Sequence, residues 1–152
     1  MILRKLIDTP KRSMYLIISL LSWLTIASSA QAEQYKTLGN WDVHYIVLNS
    51  TFLQPEIARQ YQIQRSKYNA FVNISVLDHD SKQAQNVAIT GTATNLLGTI
   101  KELTFEQVQE QDSIYYLAQL PFRDRETFRF SIDIVHGNEK QTLTFKQELV
   151  TD

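Results

Sequence analysis

From Thr127 to Val135 the chain alternates without a break: Phe128, Phe130, Ile132 and Ile134 are apolar, and Arg129, Ser131 and Asp133 between them are polar. Successive side chains of a β-strand point to opposite faces, so this period of two predicts a strand with one greasy and one wetted face. Such a face needs a second layer to cover it. Other segments share the rhythm. Ala70, Val72, Ile74 and Val76 line one face of a predicted strand over 70–77, and Trp41, Val43, Tyr45 and Val47 one face over 41–48. The Gly39-Asn40 turn would join the latter to a short strand at 34–38 as a hairpin.

The remaining elements follow from the same pattern. Residues 86–94 predict a strand with Ala88, Thr90, Thr92 and Thr94 outward, in which Gly91 marks a bulge or a close packing neighbour. Leu96-Leu97-Gly98 turns the chain into one strand over 99–109, with Leu103 and Phe105 on one face. The strand over 114–120 ends at Pro121, which cannot continue a central ladder. A hairpin at His136–Glu139, with Gly137 at positive φ, leads to a last strand over 142–149 that buries Leu143, Phe145 and Leu149. Between 49 and 67 the period is lost. There Pro55 pre-sets the first turn of a short helix reaching Gln62, with Gln54 or Thr51 as cap and Ile57 and Tyr61 facing the sheet. Seven or eight strands spaced by roughly ten residues predict an all-β fold: an antiparallel two-sheet sandwich, immunoglobulin-like in size, with one short helical crossover. A small closed barrel is the alternative.

The first 32 residues depart from this pattern. Arg4, Lys5, Lys11 and Arg12 precede an apolar run, Met14 to Ala27, and Ala30-Gln31-Ala32 closes it. That order predicts a secretory signal peptide over 1–32, cut after Ala32, and a single domain over 33–152 in the periplasm. The run of 14 residues is short of the ~20 that span a bilayer, which favours cleavage over a retained anchor.

Composition narrows the function classes. There is no cysteine, and both methionines, Met1 and Met14, precede the domain. Thiol catalysis and sulfur ligands are thereby excluded, and the core must hold without disulfides. Removing 1–32 takes four of the 15 Lys and Arg but one of the 16 Asp and Glu, leaving an acidic domain. It has neither the basic footprint of a nucleic-acid binder nor a polybasic run, so neither nucleic acid nor, after cleavage, membrane is an expected partner.

Val43-His44-Tyr45, Asn49-Ser50-Thr51-Phe52-Leu53, Pro55-Glu56-Ile57-Ala58, Arg65-Ser66 and Asn73-Ile74-Ser75-Val76 together resemble a family of exported single-domain proteins of Gram-negative bacteria, known as a domain of unknown function. The resemblance covers the domain after the signal. It implies a periplasmic β-sandwich and brings no activity, ligand or catalytic residue.

The candidate chemistry is sparse. His79 between Asp78 and Asp80 offers nitrogen and oxygen ligands to a divalent metal. Neighbours on an extended chain point apart, however, so a polar loop is the better reading. His44 and His136 would complete a metal site only by meeting across the sheets. No cofactor is expected. Asn49, Ser50, Thr51, Pro55 and Glu56, with Arg59, Arg65 and Lys67 alongside, form either a binding loop with an anion cradle or a structural crossover plugged by Phe52, Leu53 and Ile57. The number of apolar plugs favours the crossover. Tyr35, Tyr45, Tyr61, Tyr68, Tyr115 and Tyr116 would serve a glycan platform or, more ordinarily, the core edge. No G-x-S-x-G, H-E-x-x-H or glycine-rich phosphate loop occurs. A carboxylate pair for glycoside chemistry needs no proximity in sequence. The reading is a non-enzymatic periplasmic binding or protein-interaction module, its partner a periplasmic protein or envelope component. A histidine/carboxylate metal-binding protein comes second and a hydrolase third.

Overall fold

The computed structural model describes residues 34–151, which form nine strands and one short α-helix. The predicted signal peptide lies outside the described residues. In chain order come β1 (Gln34–Leu38), β2 (Trp41–Asn49), a 3-10 turn (Ser50–Phe52), α1 (Pro55–Gln60) and β3 (Asn69–Asp78). Then follow β4 (Ala88–Asn95), β5 (Ile100–Leu103), β6 (Glu106–Glu110), β7 (Ser113–Pro121), β8 (Arg125–His136) and β9 (Glu139–Val150).

Two antiparallel sheets face each other, one ordered β1-β2-β3-β7-β6 and the other β5-β4-β8-β9. The organising segment is β8, paired to β4 on one side and to β9 along its whole length on the other. Phe128, Phe130, Ile132 and Ile134 have no exposed surface and share one core with Val43, Val72, Ile74 and Val76 of the opposite sheet. Arg129 and Ser131 face solvent, as the two-residue period requires. The predicted sandwich is thus the observed one. Every strand pairing of 34–151 is made within that stretch, and residues 33–152 form a compact unit with its own core.

Gly91 marks a close approach rather than a bulge. A Cβ there would lie 3.0 Å from Ile132 Cγ1, 3.2 Å from Phe105 Cε2 and 3.3 Å from the Ser131 carbonyl oxygen.

Four expectations are corrected. Residues 99–109 are two strands in different sheets, because the chain crosses at Thr104-Phe105 to leave β5 beside β4 and β6 beside β7. Leu103 and Phe105 still reach the core, and they pin that crossing. Helix α1 ends at Gln60, two residues early, where Gln62 turns to a φ of 54°. Its buried residue is Ala58, packed with Ile63 and Phe71, while Ile57 is exposed. A helix of under two turns offers so narrow a face that shifting it by one residue exchanges the inward side chain. Gln54 stands at the cap position without a side-chain bond, its place in the first turn supported instead by Pro55. Tyr116 follows the more ordinary of its two readings and belongs to the core: it is 2% exposed, and its hydroxyl accepts the Val87 N–H at 2.7 Å.

Candidate functional site

The loops gather at the two ends of the sandwich, and the ends differ in chemistry. At one end Asp42, second residue of β2, is the centre of a polar cluster. Its carboxylate is 5% exposed and accepts three side-chain bonds: Lys82 Nζ at 2.6 Å, His79 Nδ1 at 2.9 Å and Thr37 Oγ1 at 2.8 Å. These partners, Lys82 above all, then His79 and Thr37, hold the Asp42 carboxyl far below the usual carboxylate range. In turn Asp42 raises Lys82. The cluster ties β1, β2 and the 79–87 loop together.

The sequence places His79 with its neighbours Asp78 and Asp80, but the fold gives it to Asp42. Asp78 instead caps its own turn, accepting the backbone N–H and the hydroxyl of Ser81 and the Asp80 N–H, and these bonds lower its pKa. His44 stacks on Tyr35 at 5.1 Å, and His136 Nδ1 bonds the Asn86 carbonyl at 2.8 Å. Among the described residues no three His, Asp or Glu converge as metal ligands.

At the other end lies the 49–68 crossover. Ser50 is fully buried; its Oγ accepts the Ser66 N–H at 2.9 Å and bonds the Gln64 carbonyl at 2.8 Å. Asn49 Nδ2 donates to the Val150 carbonyl at 2.8 Å, joining β2 to the end of β9. Arg65 Nη2 donates to the Thr51 carbonyl at 2.9 Å. Arg59 and Glu56 form an exposed pair on α1, where Pro55 also faces solvent. Asn49, Ser50 and Arg65 thus spend their polar groups on shaping the crossover, while Phe52 remains outside it, 69% exposed.

Beside the crossover, at the same end, the β4–β5 turn carries Leu96 and Leu97, the most exposed large apolar residues of the described chain. The Phe122 N–H donates to the Tyr68 carbonyl, and Asn95 reaches Glu126, so the crossover, the 121–125 loop and the β4–β5 turn adjoin. In the sequence Leu96-Leu97 reads only as part of a turn. The signal was there: a turn needs no leucine.

A half-open depression at the β5–β6 crossing is lined by Tyr61, Thr104 and two carboxylates, Glu102 and Glu106. Both glutamates are exposed to solvent, without the apolar enclosure that turns a carboxyl into a general acid.

With this geometry in view, residues 35–152 match the family model of DUF4426, a domain of unknown function. The chain belongs to the DUF4426 family. PA0388, a DUF4426 protein of Pseudomonas aeruginosa, has a crystal structure similar to this one: 38% sequence identity and a TM-score of 0.70, over 81% of this chain and 98% of that one. Two structures of FetP from uropathogenic Escherichia coli share the fold alone. A copper-bound variant is 13% identical with a TM-score of 0.56, over 79% of this chain and 91% of that chain. An as-isolated form produced in the periplasm is 12% identical with a TM-score of 0.56, over 78% and 94%. No curated protein matches the chain.

Proposed function

We propose that this DUF4426 protein is a non-enzymatic binding module of the periplasm, working through the end of the sandwich that holds the crossover and the β4–β5 turn. The observation that carries it is the gathering there of exposed Phe52, Tyr68, Leu96, Leu97 and Ile100. Tyr35, Ile46, Ile57 and Val150 are also exposed, but three of them less so than any of the five, and a cluster of that kind at one end of a domain marks a place for a partner. Export is supported by the basic, apolar and A-x-A order of residues 1–32, and by the production in the periplasm of a FetP with the same fold.

Two measurements test this. Mass spectrometry of the exported protein should show a chain starting at Glu33; an intact chain in the membrane fraction would refute processing. A photo-crosslinking amino acid in place of Leu97 should capture a partner in living cells, and the same probe in place of Asn138, at the far end, should not. A probe at 97 that captures neither protein nor lipid would sink the binding surface.

The copper of the FetP variant makes a bound metal the second reading. For this chain it would rest on His79 and Asp42, whose bond is already shared with Lys82. Elemental analysis of protein purified without chelator decides it: one equivalent of metal, lost in His79→Ala, would put this reading first.

A further inference from the structure

The turn between β4 and β5 is built to hold its shape without help from its tip. The Gly98 N–H donates to the Asn95 carbonyl at 3.0 Å, and Gly98 takes the left-handed φ of +84°. Asn95 Oδ1 accepts the N–H groups of Leu97 at 3.0 Å and Thr99 at 2.9 Å. Asparagine first and glycine last are what such a turn asks for; its two central positions accept almost any residue. Here they are Leu96 and Leu97, 81% and 92% exposed, with Ile100 close behind at 65%. The base is braced as well: Asn95 Nδ2 donates to Glu126 Oε1 at 3.0 Å, and the other Glu126 oxygen takes the Arg123 N–H at 2.7 Å. Two leucines therefore stand off the body on a rigid support.

A projecting tip of this size offers a protein partner little of the ~800 Å² per side that a stable interface buries. It suits a lipid surface, where a few apolar side chains enter the acyl boundary and cations meet the headgroups. The charges at this end fit that role. Arg59, Arg65, Lys67, Lys101, Arg123 and Arg125 stand against four carboxylates, Glu56, Asp124, Glu126 and Glu148. Arg59 pairs with Glu56 and Arg125 with Glu148, which leaves Arg65, Lys67, Lys101 and Arg123 to the collar. At the opposite end the balance reverses, with Asp78, Asp80, Glu110 and Asp112 among its acids. The sequence has no basic run, but the fold assembles a basic collar from three separate segments.

We propose that this end docks on an anionic lipid bilayer, Leu96 and Leu97 entering below the headgroups and the collar meeting the phosphates. The acidic end is then turned away from like charge, which orients the domain. This inference rests on the binding surface proposed above and names its partner.

Vesicle flotation of residues 33–152 tests it. Residues 33–152 form a compact unit with its own core. The expected result is flotation with vesicles of phosphatidylcholine and phosphatidylglycerol, loss of it in high salt, and little with phosphatidylcholine alone. Leu96→Ser with Leu97→Ser should weaken partitioning at least about tenfold at an unchanged melting temperature, since both side chains are exposed. Lys67→Glu with Arg123→Glu should abolish the preference for anionic vesicles. No flotation with anionic vesicles, or flotation that the double serine variant retains, overturns the proposal. If flotation fails while the probe at position 97 captures a protein, the membrane is wrong and the binding surface stands. If flotation fails and the probe is silent, both fall.

Discussion

Phe130 of β8 lies flat against Phe145 of β9, ring centroids 4.6 Å apart and planes 6° from parallel, and Tyr45 of the opposite sheet stacks on the same Phe145 at 4.3 Å. The two phenylalanines are direct cross-strand partners, so the register of β8 and β9 sets the stack. Three rings in file then join one sheet to the other.

Truncating the innermost ring should therefore open a cavity that both sheets feel. Phe130→Ala is expected to cost ~3–5 kcal/mol, and Ser131→Ala, one position along and facing water, within about 0.5 kcal/mol. Denaturant melts of the two variants check it. Equal losses would mean that β8 is not a strand buried on one face.

Asp42 predicts a response to acid. Its carboxyl titrates far lower in the fold than in the unfolded chain, chiefly because Lys82 bonds it, then His79 and Thr37. The stability it contributes is thus fully present above the unfolded carboxylate value of about 3.9 and fades as pH falls below it. Asp42→Asn should lower the denaturant midpoint at neutral pH, and the gap to wild type should narrow on acidification. A gap that stays constant from pH ~7 to ~3 would show that Asp42 is not held by charge.

Gly91→Ala should destabilise by about 1–3 kcal/mol through overpacking, even though alanine suits a strand better than glycine. The added methyl would press on the Ser131 carbonyl, which is backbone and cannot swing away, and on Ile132 of the core. Thermal melts read the loss, and a neutral result would mean that β4 can draw back from β8.

Ser50→Ala strips the crossover of its central hydroxyl. The Ser66 N–H then lacks the Ser50 acceptor and the Gln64 carbonyl lacks the Ser50 hydroxyl, at a cost of about 1–3 kcal/mol. Urea titration measures it.

The alternation along β2, β3 and β8 was legible because the face toward the opposite sheet imposes a period of two, although Phe71 of β3, packed with Ala58 and Ile63, and Asp42 of β2 are buried on the other face. The crossing at Thr104-Phe105 was not. Leu103 and Phe105 keep the same alternation on both sides of it, so a change of sheet leaves no mark in the pattern. The helix was visible from Pro55, yet its inward residue was mistaken: Ile57 is more apolar than Ala58, but it is Ala58 that lies against Ile63 and Phe71. The partner of His79 was invisible for a simpler reason: Asp42 is 37 residues away, and pairing across strands depends on register. The cationic collar was hidden in the same manner, spread over residues 65, 67, 101 and 123.

The short crossing has a further consequence for how the molecule comes apart. Along one side, Thr104 and Phe105 stitch β5 to β6, and so the two sheets, through the chain itself. Along the other side, among the described residues, β1 and β9 share no ladder; Lys36 Nζ bonds the Thr144 carbonyl, and Glu139 accepts the N–H of Asn40 in the β1–β2 turn. A sandwich hinged covalently at one margin and clasped by hydrogen bonds at the other should part from the clasped margin first. In native-state hydrogen exchange the amides of β1 would then trade with solvent ahead of those in β3 and β8, and replacing Lys36 by methionine would hasten that opening while leaving the hinge margin slow.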